Sequence, residues 1–145
     1  MKGLLTPVFV LLVTLAAAGP QIPAVTFIDH VKVAEALAKG GSLVTAPNVI
    51  VACASRTGPG QVEVHDNETD VLYVIEGEAT VVTGGTMIGG KTTGPGQSRG
   101  SDIQGGQAQH MAKGDVLVVQ AGTPHWFRDV PASGVRYFVV KSIKE

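Results

Sequence analysis

Gly114-Asp115-Val116-Leu117-Val118-Val119-Gln120-Ala121-Gly122-Thr123-Pro124-His125-Trp126-Phe127-Arg128 reads as turn, strand, turn, strand. Gly114-Asp115 makes the first turn and Val116 to Val119 the first strand. Ala121-Gly122 turns again, and Pro124 to Arg128 is the second strand. The same rhythm fills most of the chain. Leu43-Val44 and Asn48 to Ser55 form one apolar block, broken by Gly58-Pro59-Gly60. Gln61 to His65 alternates polar and apolar. Asp70 to Glu76 reads as a strand, Gly77-Glu78 as a tight turn, and Ala79 to Thr83 as the returning strand. Met111-Ala112 leads into Gly114, and Val135 to Lys141 closes the chain. Short strands at this spacing predict an all-β antiparallel sandwich, barrel or jelly roll.

Two stretches depart from that rhythm. Apolar residues at Ile28, Val31, Ala34, Leu37 and Ala38 recur at helical spacing, and Gly40-Gly41 ends the run. Thr26-Phe27-Ile28-Asp29 has the polar spacing of a helix start, so one short N-terminal helix is expected. His30 then falls in its first turn as a surface residue. Gly84 to Gln109, with five glycine-containing breaks, reads as a loop too long for an ordinary hairpin. It is either a cover for a barrel mouth or a hairpin extension with no role.

Composition supports a folded domain. Of 145 residues, 44% are hydrophobic and 16% charged, which excludes a disordered chain. Eleven Lys plus Arg against 12 Asp plus Glu give a net charge of −1, with no basic stripe for nucleic acid. Gly (19) and Pro (8) are in excess, which argues for turns and against a helical bundle. Lys2, the apolar run from Leu4 and the small residues Ala16-Ala17-Ala18 have the form of a secretory signal peptide. The run contains Pro7 and is shorter than the ~20 residues a membrane span needs. The expected plan is a signal peptide over 1–18, a lead-in and helix over 19–41, and a β-barrel over 42–145. Such a protein is exported, periplasmic or extracellular, with no membrane attachment after signal removal. Cys53 lies in the apolar run Val49 to Ala54 and reads as a small buried hydrophobe; one cysteine makes no internal disulfide.

Chemistry concentrates in two clusters. The first is Glu63-x-His65-x4-Asp70-x6-Gly77, and the second Gly114-Asp115-x4-Gln120-Ala121-Gly122-Thr123-Pro124-His125. Glu63 and His65 are two apart, so a strand turns both to one face. Carboxylates and imidazoles converging inside a barrel need pairing or a metal. Two nitrogens and two oxygens suit one divalent ion: Fe, Mn, Ni, Co or Zn.

The two clusters resemble the paired motifs of the cupin superfamily, G-x5-H-x-H-x3-4-E-x6-G and G-x5-P-x-G-x2-H-x3-N. Anchored on Tyr73-Val74-Ile75-Glu76-Gly77-Glu78, the resemblance sets Asp70 at the family's Glu ligand, His65 at the second His and Glu63 at the first. Gly114, Gly122 and His125 match the second motif directly, whereas Gln120 stands for Pro and Asp129 for Asn. Gly58 and Gly60 are near, but not at, the glycine that opens the first motif. The implied metal ligands are therefore Glu63, His65, Asp70 and His125, two carboxylates where the usual set has one. Added ligand charge favours harder ions. A loosely held Glu63 would instead serve as a general base.

The resemblance implies a small cupin barrel, a homodimer and a metal-dependent enzyme acting on a small oxygen-bearing molecule, of dioxygenase, isomerase or lyase class. The alternatives are a non-catalytic module that binds a small ligand or metal, and a structural or storage protein. Period-two alternation points Met111 inward and His110 outward, turns Tyr73 and Trp126 away from the pocket, and sets Phe127 in its wall. Glu68 belongs to the Asp66-Asn67-Glu68-Thr69 turn and is expected outside the site. Arg56, Arg99 and Arg128 are candidates for binding a carboxylate, with nothing to separate them.

Overall fold

The computed structural model describes residues 23–144. The expected signal peptide, and the lead-in up to residue 22, lie outside the described residues. Helix α1 spans His30–Lys39. Its N-cap is Asp29, whose Oδ1 accepts from the amides of Val31 and Lys32 at 3.0 and 3.1 Å. The helix thus starts at Asp29, not at Thr26, because this carboxylate satisfies the first free amides. Lys39 sits at the negative end of the helix dipole and Gly40 closes it.

The rest is β-structure. The strands are β1 (Gly41–Thr45), β2 (Val49–Arg56), β3 (Val62–His65), β4 (Glu68–Thr83), β5 (Thr86–Ile88) and β6 (Lys91–Gly94), followed by β7 (Gln97–Gly100), β8 (Asp102–Gln104), β9 (Gln107–Ala112), β10 (Val116–Val119), β11 (His125–Asp129) and β12 (Val135–Ile143). Pairing is antiparallel throughout. One curled sheet runs β1-β2-β12-β4-β11-β3-β7-β6, with β10 and β9 also on β4; β5 and β8 form a separate ribbon.

β4 organises the molecule. Its first half pairs with β10 and β12, and its second half with β9 and β11. Gly77-Glu78, expected as a tight turn, is instead a bend inside this 16-residue strand. The register shifts where Arg136 and Tyr137 meet Glu76 and Val74, and Gly77 takes φ +78°. That bulge lets one strand pass from one half of the sheet to the other. The core between the halves is Leu72, Val74, Ala79, Val81, Met111, Val119, Phe127, Val135 and Tyr137.

The expected long loop over 84–109 is also corrected. It holds β5 to β8 and the start of β9. Its strands are short and mostly exposed, so ladder hydrogen bonds define them and apolar alternation does not. β7 pairs with β3 and so extends the wall of the site.

Candidate metal centre

The sequence-derived candidates come together through strand register. Glu63 and His65 lie on β3, Asp70 on the first half of β4, and His125 opens β11. His125 pairs directly with Glu63 across the β11–β3 ladder. Each of the other side chains is met by the residue opposite it. His65 faces Gln97, Glu63 faces Arg99, and Asp70 faces Lys141. Those partners orient the side chains of the site.

His65 Nδ1 is hydrogen-bonded to Gln97 Oε1, which can only accept. Gln97 Nε2 donates to Glu68 Oε1 at 2.9 Å, fixing which way the amide points. In the neutral ring His65 Nδ1 is therefore the protonated nitrogen, and Nε2 is the one left to ligate. His125 follows the same rule: its Nδ1 lies 3.1 Å from the carbonyl oxygen of Thr123. Burial pushes the His125 pKa below the usual imidazole value, opposed by the Thr123 carbonyl and the charge of Asp70. In both rings the hydrogen bond engages Nδ1 and leaves Nε2 as the nitrogen that would ligate a metal.

The two Nε2 atoms lie 3.7 Å (His65) and 3.8 Å (His125) from the same oxygen, Asp70 Oδ2. These separations are too long for a hydrogen bond. They suit atoms that share an ion: two ligands each about 2.1 Å from a metal stand roughly 3.0 to 4.2 Å apart. Ligand atoms of Glu63, His65 and His125 fall within 4.8 Å of one another, as do those of His65, Glu68 and Asp70. Imidazole nitrogens and carboxylate oxygens gather at this point, and such a donor set fits a divalent cation.

Lys141 and Glu68 complete the electrostatics. Lys141 Nζ lies 2.9 Å from both oxygens of Asp70 and 2.9 Å from Glu68 Oε2. Glu68, expected outside, is the first residue of β4 and binds Gln97 and Lys141 at the edge of the site. The strand begins two residues before Asp70, so Glu68 points to the same face. Glu63 is held by Arg99 at 3.0 Å.

Beside these groups is a cavity of about 180 Å³ lined by Arg56, Glu63, Asp70, Leu72, His125, Phe127, Tyr137, Val139 and Lys141. A larger surface cleft, about 440 Å³ around Glu78, His110 and Arg128, contains none of the expected ligands. His110 is exposed beside Glu78 and Met111 is buried. Tyr73 is exposed on the outer surface, and Trp126 donates from Nε1 to the Gly60 carbonyl at 2.7 Å. Phe127 is buried in the cavity wall and Cys53 is buried, with burial pushing its thiol up.

Sequence reasoning missed Lys141, Gln97 and Tyr137. Lys141 and Tyr137 had a legible signal. Tyr137, Val139 and Lys141 alternate on one strand, so a lysine occupies a position whose parity is otherwise inward and apolar. Gln97 had none, since only the β3–β7 register brings it to His65.

The curled antiparallel architecture and this constellation define a double-stranded β-helix protein with a carboxylate–imidazole cluster in its barrel. A family model described as Cupin matches residues 49–144, and the chain belongs to the cupin family. No curated protein matches the chain. Among solved structures, a Bacillus halodurans protein superposes with TM-score 0.61 at 16% identity, covering 88% of this chain and 85% of that one. KdgF from a Halomonas species superposes at 0.51 with 15% identity, covering 73% and 80%. An uncharacterised Klebsiella pneumoniae protein with a double-stranded β-helix domain gives 0.52 at 17% identity, covering 70% and 73%. These likenesses establish the fold.

Proposed function

We propose that this cupin binds one divalent metal ion through His65, His125 and Glu63, with Asp70 adjoining, and acts as an exported enzyme on a small oxygen-bearing molecule. The observation that carries the metal is the gathering of ligand atoms of Glu63, His65 and His125 within 4.8 Å of one another, with Asp70 Oδ2 at 3.7 and 3.8 Å from the two Nε2 atoms. A bound divalent ion would polarise a substrate oxygen. The chain's own residues do the rest. Gln97 and the Thr123 carbonyl keep both imidazoles in the ligating tautomer. Arg99 orients Glu63, which serves as ligand or as a general base beside the ion. Leu72, Phe127 and Val139 give the cavity an apolar wall.

A second function has an observation in its favour. Lys141 already bridges Asp70 and Glu68, so the cluster is held together without an ion. That suits a non-catalytic module which captures a small ligand. Element analysis of the mature chain (residues 19–145), purified without a metal-binding tag, separates the two when run beside His125→Ala. Near one equivalent of iron, manganese, cobalt, nickel or zinc, lost in the variant, is expected. Iron or manganese would favour dioxygenase chemistry, and zinc lyase chemistry. No metal in either, even after reconstitution with each ion, would leave the ligand-binding module. Export rests on residues 1–18, and the intact mass of the chain after secretion tests it.

A further inference from the structure

The geometry points to a carboxylate-binding subsite formed by Arg56 and Tyr137 inside the barrel cavity, and so to a small carboxylic acid carrying a second oxygen as the ligand. The described residues include four arginines. Arg99, Arg128 and Arg136 each meet a carboxylate, those of Glu63, Asp129 and Glu76, at 3.0, 2.9 and 2.8 Å. Arg56 meets none among the described residues. Instead it lines the cavity, and its Nε donates to Tyr137 Oη at 3.0 Å.

That contact prepares both groups for an anion. It uses a lone pair of the phenol oxygen and leaves the hydroxyl hydrogen free to donate. Burial pushes the Tyr137 pKa up, so the hydrogen stays in place at neutral pH. It also uses one of the five guanidinium hydrogens and leaves four for a planar, two-oxygen partner. The pair is rigid. The Arg56 guanidinium lies 4.8 Å over the Phe127 ring, and Phe127 stacks on Tyr137 at 4.9 Å and 16°.

Charge and volume narrow the ligand. Glu63, Glu68 and Asp70 are balanced by Arg99, Lys141 and Arg56. A divalent ion would leave the site positive by two, which a small anion relieves. A volume of about 180 Å³ equals about six waters. It admits an acid of few carbons whose carboxylate meets Arg56 and Tyr137 and whose second oxygen reaches toward Glu63 and His125. The second-oxygen half of this inference rests on the metal site proposed above; the carboxylate half rests on Arg56 and Tyr137.

Calorimetric titration with formate, acetate, glycolate and lactate tests it, on metal-loaded and metal-stripped protein, with glycolamide as the uncharged counterpart of glycolate. In the loaded protein glycolate is expected to bind about tenfold or more tighter than glycolamide. Arg56→Gln should lose about tenfold in glycolate affinity and keep its metal. Tyr137→Phe, which retains the ring stack, should lose several-fold. Equal binding of glycolate and glycolamide by the unmodified protein overturns the subsite whatever the variants do. So does binding of none of the four acids, or glycolate binding unchanged in Arg56→Gln. Arg56-dependent glycolate binding in a chain that loads no ion supports the subsite and overturns the metal site alone.

Discussion

Lys141 is the residue on which the candidate centre turns. Its ammonium spans Asp70 and Glu68 at 2.9 Å, and Asp70 is only 4% exposed. Removing one partner of a buried ion pair strands the other charge, at a cost of about 3 kcal/mol. Lys141→Met should therefore lower the stability of the metal-free protein by about that amount in chemical denaturation. It should also enlarge the rise in melting temperature on adding metal, because the ion then has two freed carboxylates to neutralise. An equal metal-induced shift in both proteins would show that Asp70 and Glu68 do not sense the ion. The resemblance to the paired cupin motifs named Glu63, His65, Asp70 and His125, and strand register brings these side chains near one another. The motifs were blind to the partners that orient them. Gln97 lies 32 residues from His65, and Lys141 lies 71 from Asp70. Such partners follow from the registers of β3 on β7 and β4 on β12, which no local pattern encodes.

At the scale of elements, the bend in β4 carries the fold. Gly77 has φ +78°, and a Cβ there would run into the Gly134 carbonyl oxygen. Gly114 has φ +95° but open space around its Cα. Both glycines relieve backbone strain, and only the first also relieves a clash with rigid backbone. Gly114→Ala should cost about 1–2 kcal/mol from the left-handed conformation alone. Gly77→Ala should cost about 1–3 kcal/mol more, because strand β4 and the turn before β12 must separate. Denaturation midpoints of the two variants measure the difference, and equal losses would remove the role assigned to the bend. The apolar runs within Val116 to Val119 and Val135 to Lys141, set off by turn residues, made those strands legible, as helical spacing did for α1. Gly77-Glu78 misled because a glycine in a bulge and a glycine in a hairpin look alike in sequence. The strands within 84–109 were hidden because residues such as Lys91-Thr92-Thr93 face solvent on both sides and carry no alternation.

For the molecule as a whole, the outer face of the sheet poses the remaining physical question. Strand register aligns Val51, Val140, Val71 and Val118 in one row and Cys53, Phe138, Tyr73 and Val116 in the next. Residues in register project to the same side, so these eight form a continuous apolar belt opposite the core. Helix α1 packs on β1 and β2 at one end, where Cys53 is 3% exposed. At the other end nothing among the described residues covers Tyr73, Val116 and Val118, which are 44%, 60% and 51% exposed. A contiguous bare patch of this kind marks an association surface, and a two-fold pairing of such faces is self-complementary. The expected species is thus a homodimer that buries these three side chains, with a particle mass twice that of the chain in light scattering at micromolar concentration. Val116→Glu combined with Val118→Lys should yield a monomer. Both positions are exposed and point away from the cavity, so the variant should bind metal and small acids as the unmodified protein does. A monomeric unmodified protein, or a dimer that survives both substitutions, would show that this belt is not the interface.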